Sequence, residues 1–91
     1  MTELPVILVV EDDQNVQTVI EEALSDGGFQ TIVTASGEEA ITLLSGNGTY
    51  RALVTDVNLL GRLDGWEVAH RARELKPDFP IIYMSGAQCP F

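Results

Sequence analysis

The stretch Pro5-Val6-Ile7-Leu8-Val9-Val10-Glu11-Asp12-Asp13 decides the fold. Its first six residues form a continuous apolar run rich in β-branched side chains, which is typical of a strand buried on both faces. Such strands belong to parallel sheets, whose crossover helices cover both sides. The three acids that follow predict a polar group of side chains at the carboxyl end of this first strand.

The next part of the chain changes to a helical pattern. After Asp13, apolar residues recur at intervals of three and four and form one helical stripe, which ends at Gly27-Gly28. The members of this stripe are Val16, Val19, Ile20, Ala23 and Leu24. Ser36-Gly37-Glu38-Glu39 has the pattern of a capping box and predicts a second helix with Ser36 as its N-cap.

Three further apolar runs predict strands at residues 29–33, 52–55 and 80–84, and the third strand of the chain ends at Asp56. A third helix precedes the last strand and ends at Lys76-Pro77. Its inward-facing residues are Val68, Ala69, Ala72 and Leu75. The order βαβαβαβ predicts parallel strands joined by right-handed crossovers, in one doubly wound α/β domain over residues 1–91.

Composition narrows the class of protein. The 91 residues are 45% apolar and carry 14 acids against 5 lysines and arginines, a net charge of −9. Such a surface repels phosphates, so we expect no direct nucleic-acid binding. Cys89, the single cysteine, has no partner for an internal disulfide, and no apolar run reaches the roughly 18–20 residues of a membrane span. Without a basic leader segment, the expected location is the cytoplasm.

Polar side chains follow three of the predicted strands. Glu11 and Asp12 follow the first, Asp56 and Asn58 the third, and Ser85 the fourth. Ligands of open parallel sheets bind at the carboxyl ends of the strands, where these residues meet. Carboxylates held together raise one another's pKa unless a cation neutralises them, and oxygen ligands favour Mg²⁺ or Ca²⁺. The pattern therefore indicates metal or phosphoryl chemistry.

Each acid also has a simpler interpretation. Taken singly, an acid directly after a strand is as consistent with a structural role, as a helix N-cap or a solvated loop residue, as with a chemical one. Asp13 is suited to cap the first helix. The joint placement at two strand ends, with Asp56 closing an apolar strand, favours the chemical interpretation for the group.

Four segments together resemble the receiver domain of response regulators, the phosphoacceptor domain of two-component signal transduction. They are Ile7–Asp13, Leu53–Asn58, Asp64-Gly65-Trp66-Glu67-Val68-Ala69, and Pro80–Ala87. The resemblance implies a flavodoxin-like sheet of strand order 2-1-3-4, with a fifth strand in complete members of the family. It also implies a phosphorelay switch domain rather than a conventional enzyme.

The resemblance assigns roles to the polar residues. Asp56 is the implied phosphoacceptor, which receives its phosphoryl group from a histidine kinase or a histidine phosphotransfer protein. Asp12 and Asp56 are the implied direct ligands of Mg²⁺, Asn58 lends its backbone carbonyl, and Glu11 acts largely through water. Ser85 is the implied switch hydroxyl.

Two departures from the family pattern affect these expectations. The loop after Asp56 lacks the usual proline and is one residue longer. The 91 residues end just after the fourth strand, before the fifth strand with the family's phosphoryl-binding lysine, so we expect a C-terminally incomplete domain. Lys76 is the only lysine and ends the third helix, where it cannot replace that residue. An uncovered fourth strand also predicts self-association through its edge.

Three other functions are compatible with parts of the sequence. The first is a receiver-like module that binds partners without phosphorylation, which the absent lysine favours. The second is an EF-hand calcium loop, because residues 56–67 place acids at several of its ligand positions although Leu60 supplies no oxygen. The third is an aspartate-nucleophile phosphatase, although such enzymes usually carry the acceptor on the first strand. The cognate kinase, the pathway and the output are not encoded in these residues.

Overall fold

A computed structural model describes residues 4–46, 48–56 and 64–84. Four strands and three helices alternate along the chain. The strands are β1 (Val6–Val10), β2 (Gln30–Thr34), β3 (Ala52–Asp56) and β4 (Ile81–Met84). The helices are α1 (Gln14–Asp26), α2 (Gly37–Leu44) and α3 (Gly65–Leu75). The predicted order is confirmed, and β2 lies one residue later than the sequence pattern indicated.

The strands form one parallel sheet of order β2-β1-β3-β4. Val9 of β1 pairs with Val33 of β2 on one side and with Val54 of β3 on the other. This is the doubly wound, flavodoxin-like arrangement that was expected. Since β1 and β3 are central, their side chains are covered on both faces, and the residues from Leu8 to Val10 are completely buried.

Two hydrophobic clusters cover the two faces of the sheet. One packs α2 and α3 against the sheet; its buried members are Leu8, Val10, Ala40, Leu44, Tyr50, Leu53, Val68, Ala72 and Phe79. The other lies on the α1 side, with Ile7, Val9 and Val54 buried and Ile20, Leu24, Phe29 and Val33 among those packed against them. Alternate residues of each strand point to opposite faces, which is why neighbouring residues join different clusters.

Two helices contact the sheet less completely than the sequence pattern suggested. In α1 no residue is fully buried: Ile20 and Leu24 pack against the core, whereas Val19 is 65% exposed. In α3, Val68, Ala69 and Ala72 are buried as predicted, but Leu75 is 47% exposed and its inward orientation was a wrong prediction. It occupies the last turn of the helix, directly before the C-cap Lys76.

Local signals at the helix ends agree with the sequence. Asp13 is the N-cap of α1, and Ser36 accepts a hydrogen bond from the Glu39 backbone N–H at 3.2 Å as the N-cap of α2. After α1 the chain turns through Gly28, whose φ of 89° lies in the left-handed region that favours glycine. No helix within the described ranges is long and apolar enough to cross a bilayer.

Candidate functional site

Three acids meet at the carboxyl edge of the sheet. Glu11, Asp12 and Asp56 each place a carboxylate oxygen within 4.8 Å of the others. The reason is the pairing of β1 with β3, in which Val10 and Thr55 are register partners. The acids that continue these two strands therefore end side by side.

In this cluster (Glu11, Asp12 and Asp56, called the acidic site below) two of the three acids are unusually well buried. Glu11 is 3% exposed and Asp56 is 8% exposed, while Asp12 is half-buried. Carboxylates rarely leave water unless a partner or a metal compensates them. Their burial therefore distinguishes the acidic site from an ordinary acidic surface.

The close packing of these acids changes the pKa of Glu11. Burial raises the pKa of its carboxyl group from 4.5 to about 7. The hydrogen bond donated by the Asp13 backbone N–H, 3.0 Å from Glu11 Oε2, opposes the increase in this pKa. Side-chain hydrogen bonds with Asp12 and Asp56, and the negative charge of Asp56, raise the pKa of Glu11 further. The site thus favours a bound proton or cation.

Neighbouring residues hold the ends of the two strands in place. The Glu11 backbone N–H donates to the Thr34 carbonyl at 3.0 Å, and the Gln17 side-chain amide donates to the Glu11 carbonyl. The Thr55 hydroxyl donates to the backbone carbonyl of Asp56 at 3.1 Å. The contribution of Gln17 was missed from the sequence; the available signal was a polar residue among the apolar positions of α1.

Asp13 does not belong to the acidic site. Its carboxylate accepts hydrogen bonds from the backbone N–H groups of Asn15, at 2.8 Å, and Val16, at 3.3 Å. The simpler interpretation of this acid as a helix cap is therefore correct. Capping also orients the start of α1 beside Glu11 and Asp12.

The acidic site has the donor set of a hard divalent cation. Its side chains supply only carboxylate oxygens, which suit Mg²⁺ or Ca²⁺ better than zinc or copper. A dication would also compensate for the burial and the neighbouring negative charge that raise the Glu11 pKa. The residues present therefore fit such an ion. Asn58 and Ser85, the other two predicted site residues, lie outside the described residues.

The EF-hand alternative fails on secondary structure. An EF-hand loop is entered from a helix, whereas Asp56 is the last residue of a β-strand within the sheet. Asp64 and Glu67, at later positions of that hypothetical loop, instead form a cap: the Glu67 backbone N–H donates to Asp64 Oδ1 at 2.9 Å at the start of α3.

Comparison with known proteins gives a consistent family. The profile of the response regulator receiver domain matches residues 7–90. Response regulator MprA of Mycobacterium sp. (strain KMS) is 37% identical over 80 residues, which are 88% of this chain and 34% of that protein. The chain therefore spans about a third of the length of this relative.

Solved structures of response regulators have the same fold as this chain. A response regulator receiver protein from Sinorhizobium medicae WSM419 has a TM-score of 0.86 and 36% identity, covering 89% of this chain and 65% of that one. The response regulator TrrA from Thermotoga maritima, solved in complex with Mg²⁺-BeF, has a TM-score of 0.79 and 34% identity. That match covers 88% of this chain and 68% of that one.

Proposed function

We propose that Asp56 of this chain, which belongs to the response regulator receiver domain family, accepts a phosphoryl group with Mg²⁺ bound in the acidic site. The observation that carries the proposal is the buried cluster itself, in which Glu11 and Asp12 from one strand end meet Asp56 from another. Members of this family are switch domains of two-component signalling. The chain is therefore a signalling domain rather than a conventional enzyme.

The ion would be held by Asp12 and Asp56, by the backbone carbonyl of Asn58, and through water by Glu11. When bound, Mg²⁺ supplies positive charge that offsets the repulsion between a carboxylate and an incoming phosphoryl group. The Mg²⁺ named with the Thermotoga maritima relative supports this choice of metal.

The chemical step belongs to Asp56. One carboxylate oxygen attacks the phosphorus of a phosphohistidine on the partner, an O–P bond forms, and the P–N bond breaks. The imidazole nitrogen leaves with the electron pair, and the product is an aspartyl phosphate. Because Asp56 is the buried last residue of β3, the new charge appears at the carboxyl edge of the sheet. Ser85 is proposed to respond to it as a hydroxyl donor.

The partner in this reaction is a histidine kinase or a histidine phosphotransfer protein, as for the family, and the proposed location is the cytoplasm.

A second proposed contact is self-association through β4. Ile82 is 56% exposed and Tyr83 is 42% exposed on this strand, and β4 pairs only with β3 within the described residues. Sedimentation velocity over a range of concentrations tests this: a monomer at the highest concentration contradicts self-association.

Phosphorylation is tested by the intact mass of the protein after incubation with acetyl phosphate and Mg²⁺. One phosphoryl adduct is expected on the parent chain and on Asp78→Asn, a control that removes an exposed acid far from the site. Asp56→Asn should carry none. An adduct on Asp56→Asn contradicts the assignment of the acceptor.

A second candidate function is a receiver-like module that binds partners without phosphorylation. Lys76 is the C-cap of α3, with Nζ 5.6 Å from the centre of the Phe79 ring, at the amino end of β4. It therefore lies at the opposite edge of the sheet from the acidic site. Partner binding by a folded parent chain that acquires no phosphoryl adduct would support this candidate.

A further inference from the structure

A groove between α1 and β2 lies away from the acidic site. It is an open groove with a volume of about 860 Å³. Its lining includes the first residues of β1 and β2, Val6 and Gln30, and the last residue of α1, Asp26. It is thus at the amino edge of the parallel sheet, whereas Glu11 and Asp56 stand at the carboxyl edge. Nothing in phosphoryl transfer uses this groove.

The walls of the groove combine negative charge with exposed apolar surface. Glu21, Glu22 and Asp26 line it from α1 and are all exposed. Leu4, which is 50% exposed, and Ile32, which is 41% exposed, contribute apolar surface to the lining. No lysine or arginine is found among the described residues that line it, so the three carboxylates have no cation inside the groove.

The β2 side of the groove is the edge of the sheet. The Gln30 N–H donates to the Pro5 carbonyl at 2.9 Å, and the Thr34 carbonyl accepts from the Glu11 N–H at 3.0 Å. Backbone groups of alternate residues in a parallel strand point the same way, so Thr31 and Val33 direct theirs away from β1. In the part of the chain that the structure describes, no strand pairs with that side.

We propose that this groove (the α1–β2 groove) binds an extended, lysine-rich segment of another protein. The segment would pair with the free edge of β2 as an additional strand of the sheet. The backbone of the segment would pair with the outward groups of Thr31 and Val33. Its lysines would approach Glu21, Glu22 and Asp26, and its alternate apolar side chains would contact Leu4 and Ile32.

Charge distinguishes this occupant from the other candidates. A second copy of the chain has no lysine in any of its described strands, so a strand from it would bring no cation to the three carboxylates that line this groove. A nucleic acid is repelled by these carboxylates. A segment of alternating lysine and apolar residues would pair its lysines with the carboxylates and cover the apolar surface. Its backbone would form hydrogen bonds with the free edge of β2.

The probe is a fluorescent seven-residue peptide, Lys-Val-Lys-Val-Lys-Val-Lys, titrated with the full chain and followed by anisotropy at low salt. Saturable binding is expected for this peptide but not for the same peptide with glutamate in place of lysine. A version N-methylated at alternate backbone nitrogens retains its charges but loses strand pairing. It should bind at least tenfold more weakly. Equal binding of the methylated peptide overturns strand addition, since the protein itself is unchanged.

Paired charge variants locate the site. The double variant Glu21→Gln/Glu22→Gln should weaken binding by about threefold to tenfold, as expected for the loss of two exposed ion pairs. Glu39→Gln/Glu74→Gln removes the same charge from exposed positions on α2 and α3 and should change binding less than twofold. Equal weakening in both double variants shows general attraction to an acidic protein and overturns the proposal, as does a complete absence of binding.

Discussion

Val10 and Thr55 are register partners in the parallel β1–β3 pair, and both are completely buried. This pairing brings Glu11 and Asp56, which follow them, to one point at the carboxyl edge of the sheet. A slip of one residue would turn the side chains of β3 to the opposite faces. The core that buries Leu53 and Val54 on opposite faces therefore also determines the geometry of the acidic site.

The raised pKa of Glu11 predicts a pH-dependent stability. In the folded chain the Glu11 carboxyl group has a pKa of about 7, whereas its ordinary pKa is 4.5. The folded state therefore binds more protons between these values, and its free energy of unfolding falls as pH rises through that window. The fall should be about 3 kcal/mol at most, because one pKa unit corresponds to about 1.4 kcal/mol. Urea unfolding from pH 4.5 to 8 with EDTA measures it.

The variant Glu11→Gln isolates the contribution of this carboxyl group. It should flatten the dependence between pH 4.5 and 7 and raise the free energy of unfolding of the metal-free protein at pH 8. An unchanged slope in Glu11→Gln would assign the pH dependence to other groups.

Metal binding should depend on Asp12. Its carboxylate supplies one of the three oxygens that lie within 4.8 Å of one another. Loss of an outer-shell group typically costs a metal site roughly 10–100-fold in affinity, and loss of a ligand should cost at least as much. Asp12→Asn should therefore weaken Mg²⁺ binding at least tenfold by titration calorimetry. Asp78→Asn is the matched control, and similar affinities in the two variants would contradict the role of Asp12.

Asp13 should affect stability rather than metal binding. Asp13→Ala removes the side chain that accepts from the Asn15 and Val16 backbone N–H groups. The expected loss in the free energy of unfolding is about 1 kcal/mol, measured by urea denaturation. Ser36→Ala, which removes the N-cap of α2, should cost a similar amount. Mg²⁺ affinity should stay within twofold in both variants; a tenfold loss in Asp13→Ala would place this acid in the acidic site.

The turn after α1 offers a paired test of backbone conformation. Gly28 has a φ of 89°, and a Cβ atom there would meet nothing within 4 Å, so its cost is purely conformational. Gly28→Ala should lower the free energy of unfolding by about 1–2 kcal/mol. Gly27 has a φ of −84°, and an added Cβ would make ordinary contacts of 3.5 Å with Phe29. Gly27→Ala should therefore be nearly neutral in the same urea titration; equal losses would contradict this explanation.

Much of the local structure was predictable because it depends on short-range chemistry. The β-branched run before Glu11 predicts a buried strand, and Asp13 and Ser36 act as the N-caps that their positions indicate. These signals operate within a few residues and need no knowledge of the rest of the fold. The exposure of Val19 and Leu75 was not predictable, because helical spacing defines a stripe but not how much of it reaches the sheet.

The sequence by itself determined the alternation of strands and helices, the caps of α1 and α2, and the presence of acids after β1 and β3. Only the tertiary structure decided which acids act together. It assigns Asp13 to the helix cap and joins Glu11, Asp12 and Asp56, because strand pairing brings together residues that are distant in the chain. It also sets the pKa of Glu11, since burial and neighbouring charge, the physical causes of that shift, arise only when the sheet has formed.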